Sequence, residues 1–154
     1  MSETIEQRLA GLGVTLPAAA APAANYVPFM QSGKLLFTAG QLPLKDGKLA
    51  VSGKLGRDVD VAAGKEGAKL CAVNILAQAK AALGDLGCIR RIVKITVFVA
   101  SDPDFTEQHL VANGASDFLV AALGESGKHA RSAVGVPSLP LNAAVEVEAV
   151  IEIA

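Results

Sequence analysis

The chain has 154 residues, 51% of them hydrophobic and 19% charged, and its formal net charge is −1. This composition is typical of a compact fold and excludes an intrinsically disordered chain. No basic block or basic-and-aromatic stretch is present, so the sequence does not indicate an electrostatic nucleic-acid surface.

The sequence carries no export or membrane signal. Its first residues, MSETIEQRLAGLG, are polar and acidic, unlike the basic and apolar regions of a signal peptide. No apolar run approaches the roughly 18 residues of a membrane span. Cys71 and Cys88 form no CxxC pair and are expected to be reduced thiols. We therefore expect one cytoplasmic domain, residues 1–154, that does not associate with membranes.

The chain begins with a short predicted helix, Thr4–Leu12, in which Thr4 and Gln7 match a capping box. The Pro/Ala-rich segment 15–25 predicts an extended connection, so residues 1–23 are assigned to a helix and its connection. Segment 26–43 predicts two strands around a Ser32–Gly33 turn. Pro28 favours an edge position for the first strand.

The remainder alternates helix and strand. The further predicted elements are a hairpin at Asp46–Gly47, a helix over 59–86, a strand over 91–100, a helix over 105–123 begun by Asp102–Pro103, and strands over 129–136 and 143–154. Two helices between groups of strands predict an α+β fold, with both main helices packed on one face of a single sheet.

Side-chain alternation assigns faces to the last two strands. In 143–154 the apolar residues alternate with Glu146, Glu148 and Glu152. In 129–136 the set His129, Arg131, Ala133 and Gly135 alternates with Ala130, Ser132, Val134 and Val136. The second set is the more apolar, which favours placing it under the helices and placing Arg131 on the face of the glutamates.

Arg131 admits two interpretations. It could form an ion pair with Glu146 or Glu148 on a solvated face of the sheet, and such a surface pair contributes little to folding stability. Alternatively, the small residues Ala133 and Gly135 leave a hollow beside a guanidinium, which binds a carboxylate through two hydrogen bonds. His129 is either a partly exposed surface histidine or a proton-transfer group beside a bound substrate. No metal site, phosphate-binding loop or covalent nucleophile is predicted.

Several segments resemble the Rid family, also called the YjgF family. They are FTAGQLP (37–43), IVKITVFV (92–99), DF (104–105) and ARSAVGVPSLPLNAAVEVEA (130–149). Members include reactive intermediate deaminases and carry the older label L-PSP endoribonuclease. The resemblance extends over about residues 24–154, and the amino-terminal helix suggests a longer subgroup.

The resemblance implies a chorismate-mutase-like fold and a homotrimer whose active sites lie in clefts between subunits. It implies hydrolysis of 2-imino or enamine acids to 2-oxo acids and ammonia, without a cofactor. By this resemblance Arg131 binds the substrate carboxylate and Glu146 helps to place the water. The further substrate-binding positions that it implies, or that lie beside them, are Tyr26, Ala39, Gly40, Asn113, His129 and Ala133.

Two positions depart from the deaminases. Ala133 replaces a usual cysteine, and Ala39 replaces a serine or threonine that often precedes the GQ motif. These changes keep a second hypothesis open, a non-catalytic protein that binds small carboxylic acids. A third hypothesis, a ribonuclease, is disfavoured by the absence of a basic surface.

Overall fold

The fold is α+β, as predicted. The computed structural model describes residues 3–22 and 24–154. The helices are α1 (Ile5–Gly11), α2 (Val61–Leu83) and α3 (Gln108–Leu123). The strands are β1 (Phe29–Ser32), β2 (Leu35–Thr38), β3 (Leu44–Lys45), β4 (Lys48–Leu49), β5 (Ile89–Ala100), β6 (Ala130–Val136) and β7 (Val145–Ile153).

Five strands form one mixed sheet in the order β1-β2-β7-β5-β6, and β3 pairs with β4 in a separate hairpin. Only β5 and β6 run parallel; the other pairs in these sheets are antiparallel. β1 lies at one edge of this sheet, which confirms the edge position that Pro28 predicted. Asp46 and Gly47 have φ values of 54° and 75°, which gives the β3–β4 turn its positive-φ geometry.

The helices cover one face of the sheet, and the core lies between these two layers. Val145, Val147 and Ile151 of β7 are fully buried, whereas Glu148 is exposed on the opposite face. The alternation in β7 was therefore predicted correctly. The core contains few aromatic residues, and small side chains on α2 allow close packing.

The two main helices contact each other at a glycine. A Cβ atom at Gly114 of α3 would overlap the backbone carbonyl of Lys65 in α2. Because glycine lacks this atom, α3 can lie directly against α2. A residue that is unfavourable for an isolated helix is thus required by helix packing here.

The structure confirms the predicted start of α1 and corrects the predicted start of α3. The capping box of α1 is confirmed, because Thr4 Oγ1 and Gln7 Oε1 each accept the other residue's backbone N–H. The predicted start of α3 was wrong. Asp102 instead accepts a hydrogen bond from the backbone of Asp104 in a turn, and the helix begins after Glu107. The connection 15–25 has no regular structure over its described residues, and residue 23 lies outside them.

The interpretation of the two faces of β6 was wrong. Parallel pairing with β5 sets Arg131 beside Ile95 and Ala133 beside Val97, and both β5 residues are buried under the helices. Glu146 pairs with Phe98, which adjoins Val134 on the opposite face. Both residue sets of β6 contain small side chains, so alternation alone did not distinguish them. The register with β5 places Arg131 on the helix side.

Candidate functional site

Four polar residues meet where the edge strand β6 passes α3. The Arg131 guanidinium donates from Nη1 to Asn113 Oδ1 at 2.9 Å and to Ser116 Oγ at 3.1 Å. Its Nη2 donates to the backbone carbonyl of His109 at 3.3 Å. Ser116 Oγ also lies 2.8 Å from His129 Nε2. We name Arg131, Asn113, Ser116 and His129 the arginine cluster.

The acceptors that hold Arg131 are all uncharged. Among the described residues no carboxylate forms an ion pair with it, and its Nε–H and one Nη2–H remain unused. Nε and Nη2 lie along the same side of a guanidinium, which is a geometry suited to a bidentate carboxylate. The half-buried cation is thus oriented by α3 and retains the capacity to bind an anion.

The surroundings of His129 favour its neutral form. Its Nδ1 lies 2.6 Å from the Gly127 carbonyl, so Nδ1 carries the proton and Nε2 accepts from the Ser116 hydroxyl. Partial burial lowers the pKa of His129, the Gly127 hydrogen bond opposes that change, and the charge of Arg131 lowers the pKa further. Protonating His129 would add a second positive charge beside Arg131.

This arrangement predicts a pH dependence of stability. Because the folded-state pKa of His129 lies below its ordinary value of 6.5, its contribution is complete above pH 6.5 and is lost as the pH falls below it. We expect His129→Gln to reduce the decline in the free energy of unfolding between about pH 7 and pH 5. Urea titrations across this range measure the effect. The matched control, His109→Gln, removes an exposed histidine side chain and should leave the slope unchanged.

A second group of residues lies at the end of β2. Tyr26, Ala39 and Gly40 line a cavity of about 120 Å³ together with the buried Gln78 of α2. We name this cavity the Gly40 pocket. A Cβ atom at Gly40 would overlap the Glu146 carboxylate, so that carboxylate packs directly against the Gly40 backbone. Glycine at position 40 therefore lets the Glu146 carboxylate lie against the backbone at the end of β2.

The Glu146 carboxyl group is half-buried on the sheet face opposite the helices. Burial raises the pKa of Glu146, and the negative charge of Glu148 raises it further. A carboxyl group with a raised pKa retains a proton more readily at near-neutral pH, which suits proton transfer to and from a small substrate.

The predicted site residues thus fall into two groups within one chain. Arg131, Asn113 and His129 meet on the helix side, whereas Glu146 adjoins Gly40 from the open side of the sheet. β5 lies between the strands that carry Arg131 and Glu146. One chain therefore does not present both side chains to one small molecule.

The predicted hollow beside Arg131 is only partly present. Ala133 packs against the core, and Gln108 Nε2 lies above Gly135, 2.7 Å from where a Cβ would be. A cavity of about 410 Å³ borders Gly135 and Gln108, farther along the strand than Arg131.

Two residues of these groups were not predicted from the sequence. Ser116 connects Arg131 to His129, and its spacing of three residues from Asn113 on one helix face was an available signal. Gln78 gave no signal, because its position within the predicted helix over 59–86 does not show which residues it faces. Its relation to the Gly40 pocket depends on how α2 meets β2.

No group of three or more His, Cys, Asp or Glu side chains suited to a metal ion occurs within residues 3–22 and 24–154. The helices described over those ranges include none long and apolar enough to cross a membrane.

Comparison with known sequences identifies a family for nearly the whole chain. Residues 6–153 match the family described as "YjgF/chorismate_mutase-like, putative endoribonuclease". The chain is 50% identical over 153 residues to protein TCP17 of Trypanosoma cruzi, a match that covers 99% of this chain and 96% of the relative.

Solved structures have the same fold. The protein Atu1372 of Agrobacterium tumefaciens superposes with a TM-score of 0.92 at 61% identity, over 97% of this chain and 92% of its own. E. coli TdcF with bound serine superposes with a TM-score of 0.64 at 26% identity, over 88% of this chain and 94% of its own. The family match, the sequence relative and the shared fold agree, and the chain belongs to the YjgF (Rid) family of chorismate-mutase-like proteins.

Proposed function

We propose that this protein hydrolyses reactive 2-imino and enamine acids to 2-oxo acids and ammonia. The observation that supports this most directly is Arg131, a half-buried cation held by neutral acceptors with hydrogen-bond donors to spare. An unpaired guanidinium in such a setting favours a carboxylate ligand. Every 2-imino acid carries one next to its reactive carbon.

Arg131 and Glu146 would supply the groups that this hydrolysis needs. Arg131 would hold the carboxylate and so position the imine carbon for attack. A water molecule adds to that carbon, and the nitrogen takes up a proton. The C–N bond of the resulting carbinolamine then breaks, ammonia leaves, and loss of the hydroxyl proton forms the 2-oxo acid. Glu146, with its raised pKa, would carry the proton from water to nitrogen.

The two groups of residues would meet between neighbouring copies of the chain. On its open face the sheet exposes apolar side chains, namely Met30 (58%), Leu35 (36%), Phe37 (41%) and Val134 (42%). Such a patch favours association. We propose a homotrimer in which the arginine cluster of one subunit adjoins Glu146 and the Gly40 pocket of the next.

A relative supports a small carboxylate-bearing ligand. E. coli TdcF has been crystallised with bound serine, and its fold matches this chain. Serine carries the same carboxylate group that we assign to Arg131. At 26% identity the likeness supports the class of ligand rather than a particular substrate.

A second candidate function is binding of small carboxylic acids without turnover. Ala39 contributes no hydroxyl to the Gly40 pocket, and Ala133 packs against the core without a thiol. In this candidate function Arg131 still binds the ligand carboxylate, but the protein does not hydrolyse an imine. Saturable binding of a 2-oxo acid with no acceleration of imine hydrolysis would favour it.

The deciding experiment is an assay of imine hydrolysis. An amino-acid oxidase with catalase generates 2-iminopropionate from alanine, and semicarbazide traps the imine that is not hydrolysed. We expect the protein to lower the amount trapped and to speed pyruvate release. If neither quantity differs from an assay without the protein, the deaminase proposal is wrong. RNA cleavage that survives repurification and is lost in a site variant would revive the ribonuclease hypothesis.

A further inference from the structure

The end of the Arg131 guanidinium that points away from a ligand is held by two side chains of α3. Nη1 donates to Asn113 Oδ1 at 2.9 Å and to Ser116 Oγ at 3.1 Å. The edge formed by Nε and Nη2 is the one that suits a bidentate carboxylate. Because a guanidinium is planar and rigid, the groups that fix Nη1 also fix the direction in which the Nε–Nη2 edge points.

The hydroxyl of Ser116 is directed by His129. The Nδ1 atom of His129 lies 2.6 Å from the Gly127 carbonyl, which can only accept, so Nδ1 carries the proton of the neutral ring. Nε2 is then an acceptor, and the Ser116 hydroxyl, 2.8 Å away, donates to it. The lone pairs of Ser116 Oγ are thereby left for Arg131. A hydroxyl that donates to an imidazole is also a stronger acceptor, because hydrogen bonds in a chain polarise one another.

The far end of this chain of hydrogen bonds is fixed by backbone packing. Gly127 is buried in the short 3₁₀ turn Gly124–Gly127, and a Cβ atom on it would overlap the backbone carbonyl of Leu119 in α3. The turn therefore lies directly against the helix that carries Ser116. His129 joins the two at the start of β6, so the position of Ser116 Oγ depends on a rigid framework.

The serine–histidine pair holds Arg131 without a negative charge. A carboxylate in the place of Ser116 would pair with the guanidinium and compete with the carboxylate of a ligand. Within residues 3–22 and 24–154 no such ion pair with Arg131 is present. The neutral pair thus supplies a directed acceptor and leaves the charge of Arg131 available.

We propose that Ser116 and His129 are positioning residues for the carboxylate site: neutral His129 acts through the Ser116 hydroxyl to hold Arg131 with its Nε–Nη2 edge toward the ligand. This inference rests on the proposed function for its carboxylate ligand and does not depend on hydrolysis. Neither side chain has to touch the substrate. Their loss weakens carboxylate binding equally in the ground state and the transition state, so KM rises and kcat changes little.

Calorimetric titration with 2-oxobutanoate tests the role of Ser116. We expect Ser116→Ala to bind this acid about tenfold more weakly than the wild-type protein, since one net hydrogen bond is worth a factor of this order. In the imine assay the same variant should raise KM by a similar factor and leave kcat within about twofold. Ser126→Ala is the matched control, because Ser126 adjoins Gly127 in the chain but is not a hydrogen-bond partner of the arginine cluster, and it should bind like the wild-type protein.

Two substitutions of His129 separate its acceptor from its donor. In His129→Gln the amide oxygen can occupy the place of Nε2 and accept from Ser116, whereas the shorter amide of His129→Asn reaches only the place of Nδ1 and the Gly127 carbonyl. We expect His129→Gln to bind 2-oxobutanoate within about threefold of the wild-type affinity and His129→Asn to bind it about tenfold more weakly. The reverse order would contradict the proposal, because the bond to Gly127 alone would then matter.

A double-mutant cycle tests whether Ser116 acts through Arg131. The ammonium group of Arg131→Lys has no planar edge for Ser116 to orient. Adding Ser116→Ala to Arg131→Lys should therefore change the affinity for 2-oxobutanoate by less than about twofold. An undiminished tenfold loss in this background would overturn the inference, because Ser116 would then act by another route.

The outcomes separate this inference from the proposed function. Equal binding of 2-oxobutanoate by the wild-type protein and by Ser116→Ala, shown by circular dichroism to be folded, overturns the inference alone. Binding that shows the expected losses, without any imine hydrolysis, supports the inference and overturns the deaminase proposal. If the wild-type protein does not bind the acid, the carboxylate site is wrong and the inference fails with it.

Discussion

Replacing Arg131 with alanine is expected to lower kcat/KM for 2-iminopropionate by about a hundredfold or more and to abolish binding of 2-oxo acids. Removing one partner of a buried, hydrogen-bonded charge pair costs about 2–5 kcal/mol. The substrate carboxylate would lose both its counter-ion and its bidentate hydrogen bonds. Steady-state kinetics and calorimetry measure the two effects.

Arg131→Lys distinguishes charge from geometry. Lysine keeps the positive charge but cannot donate to Asn113, Ser116 and the His109 carbonyl while also holding a carboxylate bidentately. We therefore expect an intermediate loss. Arg57→Ala, which removes an exposed arginine paired with Asp58, should leave both measurements unchanged. If Arg131→Ala, shown by circular dichroism to be folded, retained activity within about threefold, the assigned role of Arg131 would be wrong.

The second large effect is recovery of activity on mixing two inactive variants. Arg131→Ala lacks the group that we assign to carboxylate binding, and Glu146→Gln lacks the proton carrier. In a trimer whose clefts each combine Arg131 of one subunit with Glu146 of the next, some clefts of a mixed assembly contain both intact residues. Random assembly from equal amounts restores about a quarter of the clefts.

Co-expression with two different affinity tags isolates the mixed trimers for assay. Because each isolated mixed trimer has one intact cleft out of three, we expect activity far above that of either variant alone and about a third of the wild-type value. The control is a mixture of Arg131→Ala with Arg131→Lys, which has no cleft with a native arginine and should show no recovery above its own components. Absence of recovery in the first mixture, with mixed trimers demonstrated by mass spectrometry, would show that the two residues do not act in one intersubunit cleft.

The order and approximate limits of the elements followed from local patterns. The predicted helix over 59–86 contains α2, and the predicted strand over 91–100 forms most of β5. Such segments were recognisable because hydrophobic periodicity and end signals are local properties of the chain. The start of α3 was misplaced for the same reason, since Asp102–Pro103 has a local pattern that a turn can also use.

The burial pattern of β7 follows from its own residues, because large apolar residues alternate there with glutamates and only one arrangement buries the apolar set. β6 offers no such contrast, since small residues occupy both of its faces. Only the parallel register with β5 decided that Arg131 lies on the helix side. Because β6 is an edge strand, the long side chain of Arg131 can reach Asn113 and Ser116 on α3.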